Sequence, residues 1–319
     1  MNEDTIHVVM CTYQGEKYIA EQLDSILFQT YLNFKIHVFD DCSDDKTLSI
    51  VKEYSQKFLN IEWHKSSKNR GFIKNFENAI MSISGNYIAL SDQDDIWSPD
   101  KLEICMRELK LLEKESPNTP ALVHTDLSLI NFSGKELFTS FFESKTIDLP
   151  KERSLNSILG HCGVMGNTIL MNKLLVDKAL PFPDNLKYHD YWLAVINEIF
   201  GIRKTVKKRL VKYRIHDNNV SNNNKILMNN KLKPTRPKFR DYPLPFKEDD
   251  REIPIQYLLN SYQLDTEDKR LLKKYYDYLI FKGDRFNQFY FLIRYGLLKR
   301  DYKYRLSVFF RIMLTKRYL

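Results

Sequence analysis

Four short apolar runs alternate with amphipathic stretches over the first ninety or so residues, and this alternation constrains the fold more than any other feature. The runs are Ile6-His7-Val8-Val9-Met10-Cys11, Phe34-Lys35-Ile36-His37-Val38-Phe39, Ile61-Glu62-Trp63-His64 and Tyr87-Ile88-Ala89-Leu90. Each has strand length and is rich in β-branched and aromatic residues. Between them, Tyr18, Ile19, Leu23, Ile26 and Leu27 recur at helical spacing, as do Leu48, Ile50, Val51, Tyr54 and Phe58. Residues 72–83 form a third amphipathic stretch. A β-α-β-α-β-α-β series predicts a parallel sheet with crossover helices. Residues 121–130, 164–171 and 205–214 read as further strands, and 191–200 as a helix. The expected class is α/β: a mostly parallel central sheet flanked by helices, with a helical C-terminal extension.

Polar turns follow the first, second and fourth runs, where ligands of open α/β sheets bind. The first strand meets Thr12-Tyr13-Gln14-Gly15 with no GxGxxG, which argues against an ordinary dinucleotide site. Residues 222–256 are rich in Asn and then Pro, so 222–264 reads as a linker or wrapping segment. Residues 265–319 return to helical spacing with many aromatic and basic side chains.

Charge divides the chain. Residues 1–202 hold 20 Lys and Arg against 29 Asp and Glu, whereas 203–319 hold 29 against 12. A basic half can face a polyanion, an acidic membrane surface or a phosphorylated ligand. Nucleic acid is disfavoured, because the C-terminal aromatics fall at helical spacing with Leu and Ile, as core residues do. The longest apolar run there, Phe289 to Ile293, is far short of the roughly 18–20 residues of a membrane span. Four scattered cysteines without a CxxC pair exclude a disulfide scaffold or zinc ribbon and fit a reducing compartment. The acidic N-terminus shows no secretory signal, so a cytoplasmic location is expected.

Three carboxylates crowd Asp92-Gln93-Asp94-Asp95 at a strand end. They repel one another unless a cation lies between them, and Mg²⁺ or Mn²⁺ shared with substrate phosphates suits such a turn. An acidic turn that only leads into the next helix is the alternative. Asp40-Asp41 could bond a ribose or pyrimidine, or lead into a helix capped by Ser43 or Asp44. Asp190, after His189, could cap a helix, and His216 could be a metal ligand or a loop histidine.

Taken in order, Thr12-Tyr13-Gln14-Gly15, Asp40-Asp41-Cys42-Ser43, Asn69-Arg70-Gly71 through Asn75, Ser91-Asp92-Gln93-Asp94-Asp95, His189-Asp190 and Tyr213-Arg214-Ile215-His216 resemble family 2 glycosyltransferases of GT-A fold. Within them the series is similar to bacterial rhamnosyltransferase-type enzymes of surface polysaccharide synthesis. The resemblance implies a GT-A domain over 1–221, the linker over 222–264 and a basic aromatic helical region over 265–319. It implies an inverting enzyme that uses a pyrimidine nucleotide-diphospho-sugar, dTDP-L-rhamnose first, and a saccharide or lipid-linked saccharide acceptor. UDP-hexose or UDP-N-acetylhexosamine donors, or an inactive GT-A interaction module, are the alternatives.

By the same resemblance, Asp190 is the base, and Thr12, Tyr13, Asp41, Lys74 and Asp92 face the donor. Asp94, with Asp92 and His216, would hold Mg²⁺ or Mn²⁺. Gly166, Asn167, His189 and Trp192 would lie on the acceptor side. Cys42 stands where the family commonly has a turn glycine. The basic helices would meet the inner face of an anionic membrane, another copy of the chain, or the catalytic domain.

Overall fold

The computed structural model describes residues 4–145, 147–150, 153–217, 219, 250–298 and 302–314. The described residues form two units. One gathers those within 1–153, 163–182 and 188–228, and the other those within 154–162, 183–187 and 229–319.

The first unit is built on one nine-stranded sheet. Its strands are β1 (Ile6–Thr12), β2 (Phe34–Asp40), β3 (Ile61–Lys65), β4 (Tyr87–Ser91), β5 (Ile96–Trp97), β6 (Ala121–Ile130), β7 (Glu136–Phe138), β8 (Leu170–Asn172) and β9 (Ile202–Arg214). The spatial order is β3-β2-β1-β4-β8-β6-β9-β5, with β7 beside β6. Every residue of β1 is buried, as an unbroken apolar run in a sheet covered on both faces must be. Parallel β2 and β4 flank it.

Helices α1 (Ile19–Leu27), α2 (Thr47–Lys57) and α3 (Phe72–Ser82) make the crossovers. On α1, Ile19, Leu23 and Ile26 are wholly buried at helical spacing and join the core beneath the sheet. The chain runs from β1 outward through β2 to β3, then returns to the other side of β1 for β4. That reversal opens a crevice at the carboxyl ends of β1 and β4, where an open α/β sheet binds ligands.

The mostly parallel expectation holds for β3-β2-β1-β4 and for β6 with β9. Elsewhere the sheet is mixed, since β8 is antiparallel to both β4 and β6, and β5 to β9. The strand expected at 164–171 is a single 3₁₀ turn, Gly166–Thr168, followed by the short β8. Helices α4 (Lys101–Glu115), α5 (Phe141–Lys145), α7 (Lys173–Ala179) and α8 (His189–Phe200) complete the unit.

The second unit is helical: α6 (Leu155–His161), α9 (Glu252–Ser261), α10 (Thr266–Leu279), α11 (Arg285–Arg294) and α12 (Tyr302–Leu314). The carboxylates of Asp265 and Asp284 cap α10 and α11 by accepting from the Asp268 and Asn287 amides. Phe289 of α11 meets Phe309 of α12 edge to face at 5.0 Å. Gly160 is a forced choice, because a Cβ there would lie 2.6 Å from the Leu297 carbonyl oxygen.

The linker expected over 222–264 is corrected at its end. Residues 222–249 lie outside the described residues, but Glu252–Ser261 is a helix. Pro254 falls in its first turn, where the missing N–H has no helical partner to lose.

Candidate active site

Loops from the carboxyl ends of β1, β2 and β4 are bonded into one surface. Gln93 clamps the first to the third: its Oε1 accepts from the Tyr13 amide at 3.0 Å and its Nε2 donates to the Tyr13 carbonyl at 2.9 Å. The approach is so close that a Cβ on Gly15 would fall 2.2 Å from Gln93 Oε1. The Asp41 amide donates to the Thr12 carbonyl at 2.8 Å, and the Gln14 amide donates to Ser43 Oγ at 3.0 Å.

The two aspartates after β2 are both buried and do different work. Asp40 accepts from Thr12 Oγ1 at 3.1 Å, from the Ser43 amide at 2.9 Å and from Ser43 Oγ at 2.6 Å. It folds the turn. Asp41 accepts the Arg70 amide on one oxygen and the Gly71 amide on the other, both at 2.8 Å. Each Asp41 oxygen retains acceptor capacity for a ligand. Between Asp41 and Ser43, Cys42 adopts φ of 69°, the left-handed conformation that favours glycine. Tyr13 keeps an exposed ring at the rim, a surface on which a flat base can stack. Lys74, on α3, pairs with Glu77 at 2.7 Å.

The turn after β4 is electrostatically different. Burial first, and then the charges of Asp94 and Asp190, push the Asp92 carboxyl up to about 8. Burial and the neighbouring Asp94 and Asp92 hold the Asp95 carboxyl well above the usual carboxylate range. Asp95 is wholly buried and accepts from Asn167 Nδ2 and from the Arg214 amide. Asp94 Oδ2 meets His216 Nε2 at 2.7 Å.

Asp190 lies in the first turn of α8, one residue inside the helix, whose cap position is Tyr188. Its Oδ1 accepts from the Tyr191 amide at 2.7 Å and its Oδ2 from the Gly166 amide at 3.2 Å. The expected cap is therefore a carboxylate of the first turn, held from two sides and within electrostatic range of Asp92.

The residues expected on the acceptor side divide. Gly166 touches Asp190 directly, and a Cβ there would lie 2.9 Å from His189 Nε2. His189 is buried and stacked on Phe76 at 4.5 Å, and burial lowers its pKa. Asn167 is turned inward onto Asp95, so it braces the acidic turn. Trp192 is corrected: it is fully buried and donates to the Ala179 carbonyl at 2.8 Å, so it belongs to the core. Residues two apart on a helix face nearly opposite ways, which carries Trp192 away from Asp190.

The contacts of Gln93, Asn167, Arg70, Gly71 and Arg214 leave no trace in the sequence. Gln93 and the Arg70–Gly71 amides hold the loops after β1 and β2, and Arg214 reaches the acidic turn. Only their fixed order along the chain marked them.

The acidic turn suits a hard divalent cation in its donor types, since it offers carboxylate oxygens and one imidazole. Among the described residues no three His, Cys, Asp or Glu side chains already form a metal-holding group. An ion bound here would complete its shell from a substrate diphosphate or water. The contact between Asp94 and His216 fits that partial donor set.

Residues 7–122 match the model of the Glycosyl transferase family 2 family. An uncharacterized glycosyltransferase of Haemophilus influenzae is 27% identical over 321 residues, covering 95% of this chain and 94% of that protein. The UDP-Glc:alpha-D-GlcNAc-diphosphoundecaprenol beta-1,3-glucosyltransferase WfgD of Escherichia coli is 26% identical over 226 residues, covering 70% of this chain and 82% of that protein. The S. aureus TarS 1-349 structure with UDP-GlcNAc superposes with a TM-score of 0.61 at 20% identity, covering 97% of this chain and 81% of that one. The chain thus matches the glycosyl transferase family 2 model over residues 7–122, has a GT-A fold, and is a glycosyltransferase.

Proposed function

We propose that the protein moves a sugar, with inversion, from a pyrimidine nucleotide-diphospho-sugar to a hydroxyl of a bacterial surface saccharide or lipid-linked saccharide. The observation that carries this reading is the Asp190 carboxylate within electrostatic range of Asp92, on the acidic turn that Gln93 clamps to the Tyr13 loop. Asp190 accepts the proton of the acceptor hydroxyl as its oxygen attacks the anomeric carbon. The bond from that carbon to the diphosphate breaks, and the diphosphate leaves with the electron pair. One displacement inverts the centre. Thr12, Tyr13 and Asp41 receive the base and ribose, and Lys74 and Asp92 lie toward the diphosphate. Asp94, with Asp92 and His216, would hold Mg²⁺ or Mn²⁺, which when bound supplies positive charge against the leaving group.

The order of motifs favours dTDP-L-rhamnose as donor. UDP-hexose or UDP-N-acetylhexosamine is the second reading, supported by the donor in the E. coli relative's name and the ligand in the S. aureus structure's title. A thermal-shift panel of nucleotide sugars with Mn²⁺ separates them, because a ligand at 100 times its Kd stabilises the native state by about 2.7 kcal/mol. The expected result is a shift with dTDP- or UDP-sugars, and transfer from the same donor. Product formed only from a purine nucleotide sugar would overturn the pyrimidine reading.

The location proposed is peripheral, on the inner face of the cytoplasmic membrane. Among the described residues no helix is long and apolar enough to cross a membrane. Phe286 and Tyr290 of α11 are 69% and 60% exposed. Residues 282–319 hold ten Lys and Arg against two Asp. Exposed aromatics with basic neighbours suit an anionic bilayer. Flotation with anionic vesicles is the test: binding should fall in Phe286→Ser/Tyr290→Ser. Self-association lost in that variant, without vesicle binding in the wild type, would instead assign the face to a second copy.

A further inference from the structure

Arg214 ends β9 two residues before His216, and its side chain is 2% exposed. Its guanidinium makes contacts that neither the base pocket nor the proton transfer explains. Nε donates to the Asp94 carbonyl at 2.8 Å, while the Arg214 amide donates to Asp95 Oδ1 at 3.1 Å. The far nitrogen pairs with Glu21 of α1. The guanidinium carbon lies 4.6 Å from the centre of the Tyr18 ring. That same ring meets the His216 ring at 5.1 Å, and His216 Nε2 returns to Asp94 Oδ2 at 2.7 Å. The contacts close a circuit: Arg214 to Asp94, Asp94 to His216, His216 to Tyr18, and Tyr18 to Arg214.

We propose that Arg214, anchored by Glu21 and Tyr18, is a positioning residue that sets the Asp94–His216 pair in a cation-ready orientation before any ligand arrives. Its planar fork is suited to this, because it can donate to a carbonyl and a carboxylate and also stack on an aromatic face. Lysine supplies the charge without the plane. Holding the Asp94 carbonyl directly and the His216 ring through Tyr18 removes freedom that the pair would otherwise lose on binding. Partners behind metal ligands commonly alter metal affinity by about 10–100-fold when removed. The guanidinium also places a buried positive charge beside an acidic turn, which lowers the mutual repulsion of its carboxylates without occupying them. The cation site itself rests on the metal-assisted reading above; the circuit does not.

Two variants and two measurements test the inference on the full chain. Arg214→Lys retains the charge and loses the fork. Glu21→Gln alters only the outer anchor, whose carboxylate side chain is half exposed, and keeps an acceptor oxygen for the guanidinium. The first measurement is Mn²⁺ binding followed by electron paramagnetic resonance without nucleotide. Arg214→Lys should raise the Mn²⁺ Kd by about tenfold or more, and Glu21→Gln should raise it by a smaller factor in the same direction. The second is the NMR position of the His216 ring protons without metal. The adjacent Tyr18 ring displaces them in the wild type, and both variants should reduce that displacement.

Unchanged Mn²⁺ affinity and unchanged His216 resonances in both variants would overturn the proposal. If Arg214→Lys fails to fold, Glu21→Gln decides by the same two readings. If the wild type binds no Mn²⁺ while the His216 displacement depends on Glu21 and Arg214, the positioning circuit stands and the metal reading falls.

Discussion

Two acidic turns stand at the carboxyl ends of β2 and β4, the strands that flank β1, and they resolve their charge in opposite ways. After β2, Asp40 and Asp41 are each surrounded by donors: Thr12, the Ser43 amide and hydroxyl for one, and the Arg70 and Gly71 amides for the other. After β4, burial and then the charges of Asp94 and Asp190 push the Asp92 carboxyl up to about 8. A buried carboxylate ringed by donors, as Asp40 is, becomes scaffold, whereas one pressed by like charges, as Asp92 is, keeps an unmet demand for a proton or a cation. An Asp-Asp pair in the sequence says nothing of which kind it is. The donors that decide it come from distant loops.

Substitutions can break this contrast, and the largest effect belongs to Asp190. Asp190→Asn should fold normally, bind donor and lose transfer by roughly 10²–10⁴-fold, measured as kcat at saturating donor. Asparagine can still accept from the Tyr191 or Gly166 amide, so a purely structural role would leave the rate near that of wild type. Next is Asp94→Ala, which should lower transfer by about 10²–10³-fold and remove its response to added Mn²⁺. Full activity of the wild type in EDTA would reduce the β4 turn to a structural feature.

The turn after β2 should register in stability rather than rate. Asp40→Ala leaves the buried Thr12 and Ser43 donors without their acceptor and should cost about 1–3 kcal/mol, read by urea denaturation. Residual transfer by the folded fraction should stay near wild type. The smallest effect is expected at Cys42. Its φ of 69° is costly for any residue with a Cβ, so Cys42→Gly should stabilise by up to about 1 kcal/mol. A loss of stability there would mean that the cysteine side chain contributes more by packing than its backbone conformation costs.

The parallel half of the sheet was legible in the sequence because its strands are apolar on both faces and its helices carry clear periodicity. β1 is the clearest case, being buried at all of its seven positions. β5 has two residues and β7 and β8 three each, too few for any period to appear. Helix α9 was hidden by Pro254, which reads as a breaker unless its place in the first turn is known.

Within the site, types and order pointed to Asp41, Asp94, Asp190 and His216, yet pairings were not visible. Asn167 reaches Asp95 across 72 positions, and Arg214 reaches Glu21 across 193. Trp192 misled for the opposite reason. It is close to Asp190 along the chain, but helical rotation turns it into the core.

The central claim is that Asp94 of the β4 turn holds the cation and Asp40 of the β2 turn holds the shape. Calorimetric titration of UDP and dTDP, each with and without Mn²⁺, tests it most directly on the wild type, Asp94→Ala and Asp40→Ala. The expected result is Mn²⁺-enhanced nucleotide binding in the wild type, retained in folded Asp40→Ala and abolished in Asp94→Ala. Equal enhancement in Asp94→Ala and the wild type would contradict the claim, as would its loss in Asp40→Ala alone.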